Sequence, residues 1–250
     1  MWIDTHCHIN CLSQDQIEKL VPEAGGHLFI DSSTHLASAT TSLSLSQKYP
    51  FVYSALGFHP FWAEEFFPEI VEKYEALIDS ASKVVAIGEV GLDFKADAAL
   101  DTQKEILKAF IVLAQKKGLA LIVHNRLEAA HILDVLGGFF SSYEKVIFHC
   151  FSYSEQILRK IVEKKGFISF SLNILRKKDE LLMALEACPL EHMLLETDAP
   201  YMRIGKRESL PSDIREVYSF VAKTKGIDEE NLQNIIFSNA QRAFPLITSR

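Results

Sequence analysis

Residues 2–8 read WIDTHCH, in which a short apolar opening leads to two histidines that stand two positions apart. Alternate side chains of a β-strand point the same way, so His6 and His8 would direct two imidazoles toward one place. A metal ion can bind between such groups, although a histidine pair also occurs by chance and a metal needs further ligands. The stretch therefore predicts a strand with a metal site at its end, provided that the rest of the chain supplies those ligands.

Short apolar runs like this first one recur along the whole chain. Eight such runs are present, at residues 2–6, 28–31, 51–56, 84–88, 119–124, 146–149, 167–170 and 193–196. Segments with helical spacing separate them, and two further helical segments, 215–226 and 229–244, follow the last run. Apolar strands joined by helices indicate a parallel sheet covered on both faces, and eight units without a linker favour closure into a barrel. We predict an α/β fold, a single (β/α)8 TIM barrel spanning residues 1–250 with an extra C-terminal helix; an open doubly wound sheet is the alternative.

The composition is ordinary for a soluble globular protein, with 48% hydrophobic and 24% charged residues. No apolar run approaches the roughly 18 residues that span a bilayer, and the N-terminus lacks the basic and apolar regions of a secretion signal. We therefore expect a cytoplasmic protein with no membrane partner and no obligate protein partner. The four cysteines form no CxxC pair, so we expect reduced thiols; a zinc site at Cys7 and Cys11 is a less favoured alternative.

The formal net charge of −7 limits which partners the chain can bind. Tight binding to long duplex nucleic acid that is independent of sequence usually needs a broad basic face. An enzyme that handles one phosphodiester is still possible, because bound cations can supply the missing positive charge. Such an enzyme would hold its substrate at one point.

The polar residues follow the predicted strands at one end. Functional side chains of a TIM barrel gather at the C-terminal ends of the strands. Reading only those ends gives seven residues: His6, His8, His59, Glu89, His124, His149 and Asp198. The other four histidines, His27, His35, His131 and His192, begin strands or belong to helices. Because ionisable groups at strand ends inside a closed rim need partners, burial alone does not explain this pattern.

The number of candidate ligands indicates two metals. Four imidazoles and two carboxylates are too many for one catalytic zinc, which takes three protein ligands and a water. Divided over two cations, with one carboxylate bridging, they give each metal a workable set. We predict two divalent cations, which could be Mg, Mn, Zn, Co or Ni, since mixed imidazole and carboxylate sites accept several metals.

The ordered motifs DTHCH, GFHP, GEVGLD, HNR, FHCFS and ETDAPY resemble those of the TatD family of metal-dependent deoxyribonucleases, which are amidohydrolase-like TIM barrels. The resemblance runs from Met1 to about residue 244. It implies that one divalent metal is held by His6, His8, Glu89 and Asp198. It implies further that Glu89 reaches a second metal, which His124 and His149 complete. The implied substrate contacts are His59, Arg126, Tyr201, Lys206 and Arg207.

The resemblance also implies hydrolysis of DNA, often from a 3′ end. The sequence departs from the family pattern in two places that concern substrate choice. Tyr153 stands where FHCFSG commonly has glycine, so the wall beside the second metal would be bulkier. The basic segment GKRESLP lacks the Asn-Glu-Pro that often follows Lys206 and Arg207.

The predicted residues suit phosphodiester hydrolysis. Two cations about 3.5 to 4 Å apart stabilise the entering and leaving oxygens and lower the pKa of water toward about 7. Glu89 and Asp198 are the candidate catalytic residues, and Asp198 is best suited to orient the water and accept its proton. Arg126 could hold a phosphate oxygen, or it could form a salt bridge that stabilises the rim. The loops after strands seven and eight often bind phosphate in this architecture, and they contain Arg176, Lys177, Lys178, Arg203, Lys206 and Arg207. A run of charges is usually a solvated face, so only Lys206 and Arg207 are retained as candidates.

Four aromatic residues after His59 give a further hypothesis: Phe61, Trp62, Phe66 and Phe67. Unpaired bases could stack on such rings, which would favour single strands or frayed ends, although aromatics at this spacing more often belong to a core. Two other functions remain open. One is an amidohydrolase-type ester or amide hydrolase, such as an aminoacyl-tRNA deacylase, and the other is a binding protein without catalysis.

Overall fold

The computed structural model describes residues 1–23 and 25–244. Eight parallel strands of this part form one sheet in the order of the sequence. They are β1 (Trp2–Cys7), β2 (His27–Ser32), β3 (Val52–Leu56), β4 (Val84–Leu92), β5 (Ala120–Asn125), β6 (Val146–Phe148), β7 (Phe167–Phe170) and β8 (Met193–Leu195). All eight predicted strands are present, and the prediction of a barrel over that of an open sheet is confirmed.

Helices follow the strands and cover the outside of the sheet. They are α1 (Gln14–Glu23), α2 (Leu36–Lys48), α3 (Glu69–Asp79), α4 (Leu100–Lys117), α5 (Ala129–Gly137), α6 (Glu155–Glu163), α7 (Asp179–Ala187), α8 (Ile214–Lys225) and α9 (Glu229–Ala243). Between β8 and α8 lies a small antiparallel hairpin, β9 (Arg203–Ile204) and β10 (Arg207–Glu208), which the sequence did not predict. Helix α8 completes the eighth unit, and α9 is the predicted extra helix. The single-domain span of residues 1–250 stays a prediction, since Ala24 and residues 245–250 lie outside the described ones.

Apolar strands and amphipathic helices explain these elements. The strands bury almost every side chain on both faces, as expected where helices cover a parallel sheet. Helix α4 ends at Gly118, whose φ of +65° is the left-handed conformation that a helix C-cap adopts and glycine tolerates best. None of the helices within the described ranges has the length and hydropathy that crossing a membrane requires.

The barrel closes between β1 and β8 without a continuous ladder in the described part of the chain. Side chains strengthen this seam. The buried Tyr218 hydroxyl on α8 accepts a hydrogen bond from the Ile3 backbone N–H (3.3 Å) and donates one to the Ile3 carbonyl (3.1 Å). The Thr5 hydroxyl donates to the Leu195 carbonyl at 3.0 Å. Helices α8 and α9 both pack against β1 and β8, so they cover the seam.

Strand β4 runs four residues past its predicted end, and its pairing with β5 shifts register between Ile87 and Val90. Such an irregularity re-aims the side chains beside it, and Glu89 lies within it. Gly91 allows the two strands to approach closely here, because a Cβ at this position would lie 1.8 Å from the His124 carbonyl oxygen. Glu89 therefore comes from inside a strand rather than from a loop.

We predict that Tyr218→Phe destabilises the protein by about 1 to 3 kcal/mol, because it leaves the buried Ile3 N–H without a partner. Urea unfolding followed by circular dichroism would measure the change. The matched control is Tyr53→Phe. Tyr53 is partly buried, and its hydroxyl makes no hydrogen bond in the described chain, so this change should alter the free energy of unfolding by less than about 0.5 kcal/mol. Equal midpoints for the two variants would contradict this account of the seam.

Candidate metal centre and its cavity

The six predicted ligands meet at the mouth of the barrel. They lie on or directly after five strands, β1, β4, β5, β6 and β8, and none is more than 8% exposed. They are His6, His8, Glu89, His124, His149 and Asp198. Residues separated by up to 192 positions in the sequence therefore form one buried cluster.

The Glu89 carboxylate lies at the centre of the cluster with its two oxygens facing different histidines. Oε2 is 3.5 Å from His6 Nε2 and 3.6 Å from His8 Nε2. Oε1 is 2.6 Å from His124 Nδ1 and 2.9 Å from His149 Nε2. One carboxylate thus touches two separate imidazole pairs, which is the arrangement that a bridging ligand requires.

Asp198 belongs to the first of these two groups. Its Oδ1 is 3.4 Å from His8 Nε2 and 3.7 Å from His6 Nε2. Backbone hydrogen bonds hold this segment against β1, since Asp198 N–H donates to the His6 carbonyl at 3.0 Å and His8 N–H donates to the Ala199 carbonyl at 2.7 Å. The cluster therefore spans the seam of the barrel.

The electrostatics of the cluster favour bound positive charge. Burial alone would raise the pKa of Glu89, but His149, His124 and His59 together hold it well below its usual range. Burial lowers the pKa of His8, His124 and His149, yet the neighbouring carboxylates outweigh this effect and raise all three. An ionised carboxylate and imidazoles that attract protons are a site that stabilises cations.

The orientation of the rings also fits a metal. His8 Nδ1 lies 2.7 Å from the Ser32 carbonyl oxygen, which can only accept, so this nitrogen carries the proton in the neutral ring. The lone pair of His8 Nε2 then points toward His6 Nε2, 3.1 Å away, and toward Asp198. Two hydrogen-bond acceptors that face each other in a buried site need a cation or a proton between them. Imidazole nitrogens and carboxylate oxygens are also ligands that suit divalent metals.

A second layer of carboxylates orients two of the histidines, and the sequence analysis missed both. Asp93 Oδ2 is 2.9 Å from His124 Nε2. Glu196 Oε1 is 3.3 Å from His149 Nδ1 and accepts a hydrogen bond from the Cys150 N–H at 2.6 Å. Carboxylates behind ligating imidazoles fix the ring and raise its basicity. Both residues lie inside quoted motifs, GEVGLD and ETDAPY, where alternation from Glu89 and Asp198 could have indicated them.

His59 approaches the cluster as a hydrogen-bond donor. Its Nδ1 accepts the Phe61 N–H at 3.1 Å, and burial lowers its pKa to about 3. The neutral ring therefore carries its proton on Nε2, which lies 3.7 Å from Glu89 Oε1. A protonated nitrogen is unsuited to bind a metal, so the contact of His59 with a substrate stays a prediction.

A cavity of about 600 Å³ opens above the cluster. Three of the five predicted substrate contacts line it, namely His59, Arg126 and Tyr201. Lys206 and Arg207 are not among the residues that line it; they belong to the β9–β10 hairpin, where the Arg207 guanidinium is bound to the Asp213 carboxylate by two contacts of 2.7 Å. Besides Arg126, the exposed cations that line the cavity are Arg176 and Lys178, which the sequence analysis had assigned to a solvated face.

Arg126 is compatible with both of its predicted roles. Its Nη1 lies 3.4 Å from Asp93 Oδ2, so a salt bridge is present, while about half of the side chain remains exposed at the cavity. Tyr201 packs edge-on against the His8 ring at 4.8 Å, with 59% of the residue exposed. Tyr153 does not line the cavity itself, but its hydroxyl accepts a hydrogen bond at 2.6 Å from Nδ2 of Asn125, which does.

The four aromatic residues after His59 divide between the cavity and other environments. Phe61, which is 52% exposed, and Trp62 line the cavity. Phe66 packs edge-on against the buried Phe58, and Phe67 is exposed outside the cavity. Only the first pair is therefore available to a substrate in the cavity.

The alternative zinc site also lacks support, because Cys7 and Cys11 are absent from the side-chain groups of the described chain that could hold a metal.

Comparison with known proteins extends over nearly the whole barrel. A family model described as TatD related DNase matches residues 3–245. YabD of Bacillus subtilis, an uncharacterized metal-dependent hydrolase, is 29% identical over 257 residues, covering 98% of this chain and 99% of YabD. The 3′-5′ ssDNA/RNA exonuclease TatD of Salmonella typhimurium is 26% identical over 226 residues, covering 86% of each chain. The crystal structure of YJJV, a TatD homologue of Escherichia coli, superposes with a TM-score of 0.89 at 25% identity, covering 98% of each chain.

We predict that Asp93→Asn weakens binding of a divalent cation by about 10- to 100-fold, because the amide no longer supports the His124 ring. Calorimetric titration of the metal-free protein with Mn²⁺ or Zn²⁺ would measure the affinity. Asp97→Asn, an exposed change in the same loop, is the matched control and should leave it unaltered. If Asp93→Asn binds as tightly as the control, the second-layer role of Asp93 is wrong.

Proposed function

The chain belongs to the TatD related DNase family, and on this premise we propose that it is a two-metal exonuclease that removes nucleotides from the 3′ ends of single-stranded or frayed DNA. Its relatives include metal-dependent hydrolases and one 3′-5′ ssDNA/RNA exonuclease. The predicted cytoplasmic location agrees with such a substrate. The proposal includes the two cations and the assignment of Glu89 and Asp198 as catalytic residues.

The observation that carries this proposal is the position of the Glu89 carboxylate. Each of its oxygens faces its own pair of imidazoles, and two of the four side-chain groups in the described chain that could hold a metal share Glu89. His6 and His8 with Asp198 would hold one cation, and His124 with His149 would hold the other. A binding protein without catalysis has no need for a bridging carboxylate at the floor of an open cavity.

The residues around the cluster have separate roles in hydrolysis. Two divalent cations in such a site neutralise charge on the phosphate and make water acidic enough to supply hydroxide near neutral pH. Asp198 lines the cavity, and its carboxylate would orient the attacking water and accept its proton. His59 would donate its Nε2 proton as a hydrogen bond to a phosphate oxygen. Arg126 would bind another phosphate oxygen from the cavity wall.

The cavity also limits the form of the substrate. The reacting groups lie at its floor and are at most 8% exposed, so a strand end can reach them more easily than a paired segment within a duplex. Phe61 and Trp62 line the wall, and Trp62 is itself stacked on His35 with ring centroids 4.0 Å apart. Unpaired bases can stack on such rings, which favours single strands and frayed ends.

We predict that Glu89→Gln lowers turnover of end-labelled single-stranded DNA by at least about 1000-fold, since the amide cannot bridge two cations. Chelation by EDTA should abolish activity, and addition of Mn²⁺ or Mg²⁺ should restore it in the wild type only. Denaturing gels would show whether single nucleotides leave from the 3′ end. The exposed Glu64→Gln is the control for an equivalent change of charge.

Turnover by Glu89→Gln at the wild-type rate would contradict the bridging role. Parallel assays on aminoacyl esters decide between phosphodiester and carboxylic ester hydrolysis. Rapid release of the amino acid, with intact oligonucleotides, would replace the nuclease proposal by the amidohydrolase-type alternative. Both substrates share the requirement for metal, so the assay identifies the bond rather than the cofactor.

We predict that Phe61→Ala raises KM for single-stranded DNA by about fivefold or more, because one stacking contact is lost. The value of kcat should change little, since the ring contact of Phe61 in the described chain is with His59 and not with any of the six predicted ligands. Phe67→Ala removes a ring outside the cavity that is 43% exposed, against 52% for Phe61, and serves as the control. Identical KM values for the two variants would remove stacking on Phe61 from the proposal.

A further inference from the structure

The loop between β7 and α7 forms a wall of the cavity that the proposed chemistry does not use. Asn173, Arg176 and Lys178 of this loop all line the cavity. Between the two cations, Lys177 has a φ of +52°, so the chain turns there, and Lys177 is not among the lining residues. The wall thus presents two positive side chains and one amide near the catalytic cluster.

The two cations on this wall have no anionic partner. Within the described chain, no carboxylate lies at ion-pair distance from Arg176 or Lys178. Arg176 Nη2 instead donates a hydrogen bond to the Met202 sulfur at 3.9 Å. Glu180 lines the same cavity but lies beyond ion-pair distance of both. Two unpaired cations at a concave surface attract anions more strongly than the same residues on an open face.

Asn173, the third residue of this wall, has a buried side-chain amide. The residue is about nine-tenths buried, and its Nδ2 donates to the Phe151 carbonyl at 3.3 Å. A carbonyl can only accept, so the amide nitrogen must face Phe151 and the oxygen must point elsewhere. Among the described residues, that oxygen has no hydrogen-bond partner. This oxygen is buried from solvent, so the charged groups of the wall that can reach a ligand in the cavity are those of Arg176 and Lys178.

We propose that Arg176 and Lys178 form a second phosphate subsite, which binds the internucleotide phosphate next to the one that is hydrolysed. This inference rests on the proposed function. The cluster around Glu89 receives the reacting phosphate, Arg176 binds two oxygens of the neighbouring phosphate through its guanidinium, and Lys178 adds a point charge. At a 3′ end, the terminal linkage has one neighbouring phosphate, which lies on its 5′ side. The subsite therefore favours chains in which this second phosphate is present and charged.

The test removes the charge of the neighbouring phosphate, the charges of the two side chains, or both. Two single-stranded oligonucleotides are compared, identical except that one has an uncharged methylphosphonate at the linkage next to the terminal one. Each is assayed with the wild type and with Arg176→Gln/Lys178→Gln. Lys177→Gln, a change of the adjacent cation that does not line the cavity, is the matched control.

We expect the methylphosphonate to lower kcat/KM of the wild type and of Lys177→Gln by about tenfold, because a charge-assisted contact is lost. In the double variant the methylphosphonate should lower kcat/KM by less than about twofold, because the interaction that it removes is already absent. The salt dependence gives a second readout: the slope of log KM against log salt concentration should fall by about 0.7 in the double variant alone.

Two results would overturn the subsite. The first is a wild type that cleaves both oligonucleotides equally well, and the second is a double variant that remains as sensitive to the methylphosphonate as the wild type. Both results leave the nuclease activity intact, so they are distinguishable from failure of the proposed function, in which the wild type would cleave neither oligonucleotide. Because Arg176 and Lys178 are exposed, circular dichroism should show the double variant folded.

Discussion

The ion cluster around Glu89 is the constraint on which the arrangement of the rim depends. A carboxylate removed from water costs several kcal/mol unless charged or polar partners surround it. Here imidazoles from β1, β5 and β6 lie within 3.6 Å of its two oxygens. Apolar side chains would stabilise the barrel mouth at lower cost, so the cluster is better explained by chemistry than by stability. The parallel sheet makes it possible, because the C-terminal ends of its strands all meet at one edge.

The seam between the first and last strands is equally important for the site. His6 and His8 lie on β1 or directly after it, whereas Asp198 follows β8, and backbone hydrogen bonds join the two segments. The buried Asp4 carboxylate strengthens this junction by accepting from the Thr197 N–H at 3.0 Å and the Thr197 hydroxyl at 2.6 Å. Closure of the barrel and assembly of the ligand set are therefore the same structural event.

The sequence predicted the strands and the convergence of the six candidate ligands because both follow simple rules. Apolar runs of strand length are visible without a structure, and polar residues at their ends must meet once the barrel closes. Asp93 and Glu196 were not predicted because one carboxylate was kept for each strand end, although both lie at even spacing from Glu89 or Asp198 and contact the imidazoles from behind. The cationic residues that line the cavity were not predicted for another reason. Arg176 and Arg207 look alike in sequence, and only the paths of their loops decide that one lines the cavity while the other pairs with Asp213.

The bridging position of Glu89 has a consequence for the stability of the whole chain. Cations seated there would tie together strands from both ends of the sequence, acting as a reversible cross-link across the mouth of the barrel. Whatever binds only the folded state shifts the folding equilibrium by mass action. The melting temperature of this protein should therefore report metal occupancy, even in the absence of any nucleic acid.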